Sequence, residues 1–307
     1  MTTRIPSSAA EHTPKPELAR AIDVQRMVLY FDVFRHPLRL DELAALCGAG
    51  IERAVEGACA SGMVEREGRW VFRRDRGGDR ARRSQRSAEA ERQWRRARSA
   101  SAALAQAPFV RGVLVTGALS KQSAEPDGDV DFMLLVEPGR VWTVKSALHL
   151  LRRGLPDPLR EALCTNYLLG TDGLALPQRS MFHAVELATA VPMFGPGACT
   201  ALLDANPWAA DYVRGWVPLR QRAVVAPGVP HPRVQAALEV GVPRAFERIG
   251  AQAIDQLWEA RYAWLSKPER DRRFQRGASV ATNHLHDFSG WVNAEYQRRC
   301  AVEGVPA

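Results

Sequence analysis

Apolar positions in the first part of the chain recur at helical spacing. Ile22, Met27, Leu29, Tyr30 and Phe34 give residues 17–34 the period of an amphipathic helix, which ends near His36-Pro37 because proline cannot continue one. Leu40 to Cys47 predicts a second helix, with Gly48 as its stop, and Ile51 to Ser61 a third. The period then switches to two. Val64 to Phe72 reads as a hairpin turning near Gly68. A long polar helix follows from about Arg80 to Gln106 and ends at Pro108. Strands at 110–116 and 129–136 flank a loop of small residues, and Glu137-Pro138-Gly139 turns into a helix over 140–153 with Trp142, Leu148 and Leu151 on its apolar side. A strand over 162–169, a helix over 180–190 and a Pro/Gly-rich break over 191–197 complete the middle of the chain. From about Ala198 the pattern is helical with proline interruptions, clearest over 234–240, 246–265 and around Trp291.

Composition changes this picture in three places. A chain of 307 residues, 46% hydrophobic, can bury a sizeable core and make two or three domains. No apolar run approaches the ~20 residues a membrane span needs, and Ser7 to Pro16 is polar, with no apolar signal-peptide centre. The five cysteines show no CxxC spacing, which favours buried free thiols and, with the absence of a leader, a cytoplasmic protein. The net charge of +8 is concentrated: residues 66–98 hold 13 arginines against five acids, a stripe that would attract polyanions or form a solvated helix face. Trp94 within it reads as a packing residue. The third helix, in contrast, presents Glu52, Arg53 and Glu56, a net negative face that argues against sequence-specific DNA readout.

The candidate chemistry lies at the loop between the two central strands. Val113-Leu114-Val115-Thr116-Gly117-Ala118-Leu119-Ser120-Lys121 is an apolar strand running into small residues, and Asp129-Val130-Asp131-Phe132 opens the next strand. Strand side chains alternate faces, so Asp129 and Asp131 point the same way, roughly 6–7 Å apart, and could share a divalent cation. Phosphoryl and nucleotidyl transfer needs such a cation to neutralise charge. Gly117 lets backbone N–H groups approach a phosphate closely, and Ser120 and Lys121 are natural further phosphate contacts.

At these residues the chain resembles the nucleotidyltransferase superfamily typified by DNA polymerase β, which places a Gly-Ser loop after its first core strand and an Asp-x-Asp pair at the start of the next. It is more closely similar to bacterial nucleotidyltransferase domain-containing proteins in which a winged helix precedes the transferase core. Tyr30-Phe31-Asp32-Val33-Phe34-Arg35-His36-Pro37-Leu38, Gly139-Arg140-Val141-Trp142 and Leu163-Cys164-Thr165-Asn166-Tyr167-Leu168-Leu169 fit the same pattern, and the resemblance covers roughly residues 20–220. It implies an α/β (α+β) nucleotidyltransferase core with a mixed sheet, an N-terminal winged-helix module and a C-terminal helical region. The expected divisions are a lead-in over 1–16, the winged helix over 17–78, a linking helix over 79–107, the core over 108–197 and the helical region over 198–307. It implies Mg²⁺ (or Mn²⁺) on Asp129 and Asp131 with Asn166 as a substitute third ligand, a nucleoside triphosphate held by Gly117, Ala118, Ser120, Lys121 and Arg140, and transfer of a nucleotidyl group to an unidentified acceptor. The winged helix would pack on its own core, on a protein partner or in a dimer.

Three positions depart from the pattern. The loop serine of the family is Ala118, a later loop glycine is Gln122, and the third carboxylate, on strand 162–169, is Asn166, which can offer a cation only an uncharged oxygen. Asp172 and Glu186 are nearby acids that spacing alone does not place. These departures favour the alternative of a catalytically degenerate nucleotide-binding or regulatory protein of the same fold. His183 and Glu186, three apart on one helix, and His284-Leu285-His286-Asp287 are weaker constellations, read as structural because no further ligand or partner motif accompanies them.

Overall fold

The computed structural model describes residues 18–126, 128–154, 163–215, 236, 239–282 and 287–307. The expected lead-in, the His284–His286 segment and most of the 234–240 helix lie outside the described residues.

The N-terminal unit follows the sequence pattern closely. Helices α1 (Ala21–Asp32), α2 (Leu40–Cys47) and α3 (Ile51–Ala60) precede the hairpin β2 (Val64–Glu67) and β3 (Trp70–Arg73). A two-residue strand β1 (Leu38–Arg39) adds to β3, giving the sheet order β1-β3-β2. Gly48 ends α2 at φ 101°, a conformation that suits a residue without a Cβ. Helix α4 (Asp79–Ala105) then runs along the second sheet.

That second sheet has five strands in the order β7-β4-β5-β6-β8. Strands β4 (Val110–Val115) and β5 (Val130–Val136) are antiparallel, β6 (Leu163–Gly170) is parallel to β5, and β7 (Val191–Phe194) and β8 (Val280–Thr282) close the edges. The single turn α5 (Gly117–Ser120) follows β4. Helix α6 (Val141–Gly154) links β5 to β6, and α7 (Met181–Thr189) leads into β7. After β7 come α8 (Pro196–Asp204), a 3₁₀ turn (Pro207–Asp211), α9 (Ala245–Arg261), α10 (Lys267–Arg273) and α11 (Phe288–Glu303). The chain is thus mixed α/β with a mixed sheet. No helix among the described residues is long and apolar enough to cross a membrane.

Alternation along β5 sorts two cores. Phe132, Leu134 and Val136 pack with α4, α6 and α9, whereas Met133 and Leu135 share a cluster with α1–α3, α7 and α11. Asp131 has the parity of the second group, so it stands on the face covered by the N-terminal unit and α7. Strands β1, β7 and β8 escape the sequence pattern. Val191-Pro192-Met193-Phe194 lies within the expected break, yet it forms an edge strand, the position where proline costs least.

Helix α4 fastens these parts together. Arg83 is fully buried; its guanidinium donates to His36 Nε2 (3.0 Å), Glu42 Oε1 (2.7 Å), the carbonyls of Gln122 (2.8 Å) and Lys121 (3.3 Å), and Ser87. Burial, with Arg83 and other cations nearby, holds His36 well below the usual imidazole range, so its ring is neutral and can accept. Much of the arginine stripe is likewise engaged in ion pairs, with Arg76 on Asp32 (3.4 Å), Arg66 on Glu52, Arg80 on Glu67 and Arg86 on Glu125. Arg95, Arg96 and Arg98 stay exposed on α4.

Removing one partner of a buried ion pair strands the other without compensation. Arg83→Ala is therefore expected to lower the unfolding free energy by roughly 3–5 kcal/mol, read from urea denaturation, while the exposed control Arg95→Ala changes it by less than about 0.5 kcal/mol.

Candidate acidic site beside the Gly117 turn

The sheet brings the glycine turn and the acidic strand together. The Thr116 N–H donates to the Asp131 carbonyl at 2.9 Å, extending the β4–β5 pairing past its last register pair and fixing Gly117 beside Asp131. Gly117 has φ 66°, and a Cβ built on it would lie 2.2 Å from Asp131 Oδ2. Only glycine fits there, for conformational and for steric reasons.

The carboxylates differ in environment. Asp129 is exposed in the turn before β5, and Asp131 is partly covered. Burial, then the charges of Glu186 and Asp129, push Asp131 up to about 6, with Lys121 and the Asn166 hydrogen bond pulling the other way. Asn166 sits on β6 and reaches Asp131, donating from Nδ2 to Oδ1 at 3.3 Å. It therefore meets the acidic pair through its amide N–H, and in that arrangement it does not present oxygen to a cation shared with Asp131. Among the described residues, no three His, Cys, Asp or Glu side chains converge as a metal-holding group.

Glu186 is the unexpected member. It projects from α7, and its carboxylate accepts from the Gly117 N–H (3.1 Å) and from Lys121 Nζ (2.8 Å). Lys121 Nζ also donates to the Gly117 carbonyl at 2.9 Å. Two groups expected to meet a phosphate are thus held by an internal anion. Spacing could not reveal this, because Glu186 lies 65 residues beyond Lys121 and is delivered by α7, just before β7 pairs with β4.

Other candidates go elsewhere. Ser120 turns inward, its hydroxyl donating to the Gly117 carbonyl (2.8 Å) and lying 3.4 Å from Thr189 Oγ1, so it braces the turn and is not available to a triphosphate. Ala118 is exposed on the turn and offers only its backbone. Arg140 follows the far end of β5, stacks over Phe109 at 4.2 Å and donates to the Pro243 carbonyl at 3.3 Å. Arg140 is therefore no nucleotide contact in this arrangement, being separated from Asp131 by the length of the strand. His183 is engaged with Ser180 Oγ at 2.9 Å, which closes the N-terminus of α7. Asp172 lies beyond the C-terminal end of β6, where its carboxylate crowds Gly170.

Supports the sequence did not reveal hold the loop after the turn. Gln122 adopts φ 55°, the left-handed conformation a glycine would take freely. Arg83 holds its carbonyl, and Trp94 Nε1 donates to its side-chain oxygen at 3.3 Å. Gln93 donates to the carbonyls of Glu125 (2.7 Å) and Gly128 (3.2 Å), the latter one residue before Asp129. A groove of about 570 Å³ lies elsewhere, between α3 and the β2–β3 hairpin. It holds none of these groups, and chemistry, not volume, marks the acidic site.

Comparison with known protein families, curated proteins and solved structures finds no match to this chain.

The raised Asp131 pKa has a signed consequence. The folded protein binds that proton more tightly than the unfolded chain, whose aspartates titrate near ~3.9. The resulting stability is present below pH ~4 and is lost as pH rises through about 6. Asp131→Asn removes the loss. Thermal melts in chelator should show the variant close to the parent protein at pH ~4 and increasingly more stable toward pH ~7; a gap that stays constant with pH would refute the assignment.

Proposed function

We propose that this chain is a Mg²⁺-dependent nucleotidyltransferase of the polymerase β type, with the N-terminal unit a winged helix that packs on its own transferase core. The observation that carries this reading is the close approach of Gly117 to Asp131, which sets the glycine turn beside the acidic strand. The β4–β5–β6 arrangement supports it.

The residues fit a cation that arrives with its nucleotide. Mg²⁺ characteristically takes one or two protein carboxylates and completes its shell with substrate phosphates and waters, and Asp129 and Asp131 supply such a pair. When bound, the cation would neutralise charge on the phosphates and polarise the α-phosphorus. The chain's own groups do the rest. The Gly117 N–H and Lys121 Nζ, once released from Glu186, would hold the polyphosphate and orient the α-phosphorus toward an acceptor oxygen. That oxygen attacks in line, the bond from the α-phosphorus to the bridging oxygen breaks, and pyrophosphate leaves. The helical fastening of the turn by Arg83 and Gln93 keeps this geometry rigid.

A second reading, a regulatory nucleotide-binding protein without turnover, is favoured by one specific observation: Glu186 already satisfies both phosphate-facing donors.

Asp129→Ala together with Asp131→Ala should abolish transfer of labelled nucleotide while leaving the thermal unfolding transition cooperative. Activity that survives in the double variant removes the site assignment. Nucleoside triphosphate binding to the parent protein without pyrophosphate release selects the regulatory reading.

A further inference from the structure

We propose that Glu186 sets the specificity of the Gly117–Lys121 turn, acting as a tethered internal anion that admits polyphosphates accompanied by a divalent cation and excludes orthophosphate. This rests on the nucleotide-binding reading of the turn.

The geometry is a closed ring of contacts. Glu186 Oε2 takes the Gly117 N–H, Glu186 Oε1 takes Lys121 Nζ, and Lys121 Nζ returns to the Gly117 carbonyl. Glu186 takes the Gly117 N–H and one of the Lys121 ammonium protons, so an anion that is to hold both groups must replace its carboxylate. Glu186 is well placed to leave. Its side chain is 21% exposed, and it shares the half-exposed face of α7 with Phe182 and His183. A side-chain rotation toward solvent therefore suffices, with α7 unmoved.

The competition is unequal. Glu186 is already ordered on a helix, so its two contacts form at high effective concentration. A free ligand must offset its lost translational and rotational freedom before it gains anything. Orthophosphate offers little more than the carboxylate it would displace. A polyphosphate offers several anionic groups, so it can occupy the Gly117 N–H and Lys121 together and still engage a cation.

Displacement also explains why a cation is required. Lys121 is the ammonium that offsets Glu186 and lowers Asp131. When Lys121 turns to a phosphate, Glu186 loses its ion-pair partner and Asp131 loses the cation that lowers it, with Asp129 adding its charge close by. Like charges in a partly covered site repel strongly, and a divalent ion bound between phosphate and carboxylates relieves that repulsion. Polyphosphate and cation should therefore bind with positive coupling, each raising the affinity of the other.

Calorimetric titration of the full chain with orthophosphate, pyrophosphate and tripolyphosphate, each with and without Mg²⁺, tests this. The parent protein should bind tripolyphosphate with Mg²⁺ and show no measurable orthophosphate binding. Glu186→Gln keeps an oxygen for the Gly117 N–H but loses the charge on Lys121. It should bind tripolyphosphate about tenfold more tightly and depend less on Mg²⁺. Glu186→Asp, which keeps the charge and withdraws it by one methylene, should fall between the two and serves as the readout if the glutamine variant does not fold. Equal affinities for parent and variants, or orthophosphate binding as tight as tripolyphosphate, would overturn the role of Glu186. The expected pattern with no pyrophosphate release from any nucleoside triphosphate would sustain that role and count against nucleotidyl transfer.

Discussion

The Lys121 ammonium is ion-paired to Glu186 beside two further carboxylates at the Gly117 turn. Lys121 contacts Glu186 directly and moderates Asp131, while Asp129 adds its own charge from the strand end. Water screens such an excess poorly where the side chains are partly covered. Burial, and after it the charges of Glu186 and Asp129, push the Asp131 carboxyl up to about 6, and a bound cation would offset the same excess. The Asp131 carbonyl is bonded to Thr116, and its side chain occupies the space that Gly117 leaves by having no Cβ. The imbalance is therefore built into the strand pairing.

Helix α4 converts that local geometry into a property of the whole chain. A buried guanidinium is expensive to desolvate and is worth keeping only when its donors are satisfied. Arg83 satisfies its donors on the N-terminal unit through His36 and Glu42, and on the turn through the carbonyls of Lys121 and Gln122. The same contacts hold Gln122 in a conformation that a non-glycine residue adopts at a cost of order 1 kcal/mol. Displacing the N-terminal unit would thus disturb the backbone that carries Lys121. The resemblance to two modules conceals a mechanical link between them.

Local pattern made the right parts of this visible. Helices α2 and α3 and the hairpin were legible because period, glycine stops and turn residues agreed within a few residues of one another. The proximity of Gly117 and Asp131 was legible for the same reason, while Asp129 lies just before β5, outside the strand whose alternation was expected to place it. What depended on distant chain was not. The edge strand β7 looked like a break because Pro192 argues against an interior strand, and β8 has only three residues. Arg140 followed the right strand but left from its opposite end. Ser120 had the right chemistry on the turn, yet its side-chain direction is set by Thr189 on α7, which local sequence does not encode. The arginine stripe pointed outward to polyanions when read as composition, whereas its most buried member points inward.

The asparagine at position 166 acquires a different meaning once Glu186 is in view. Considered on the strand alone, Asn166 replaces a charged ligand by a neutral one and weakens any cation site. A carboxylate there would, however, be the fourth acid around Lys121, placed against the already raised Asp131 with no additional cation to offset it. An amide avoids this and stabilises the ionised form of Asp131 by donating to Oδ1. On the proposed reading a negative charge stands instead on α7, in Glu186, which pairs with Lys121 in this structure and would be exposed beside Asp131 once a ligand filled the turn. The negative charge of the site would then depend on what occupies the Gly117 turn.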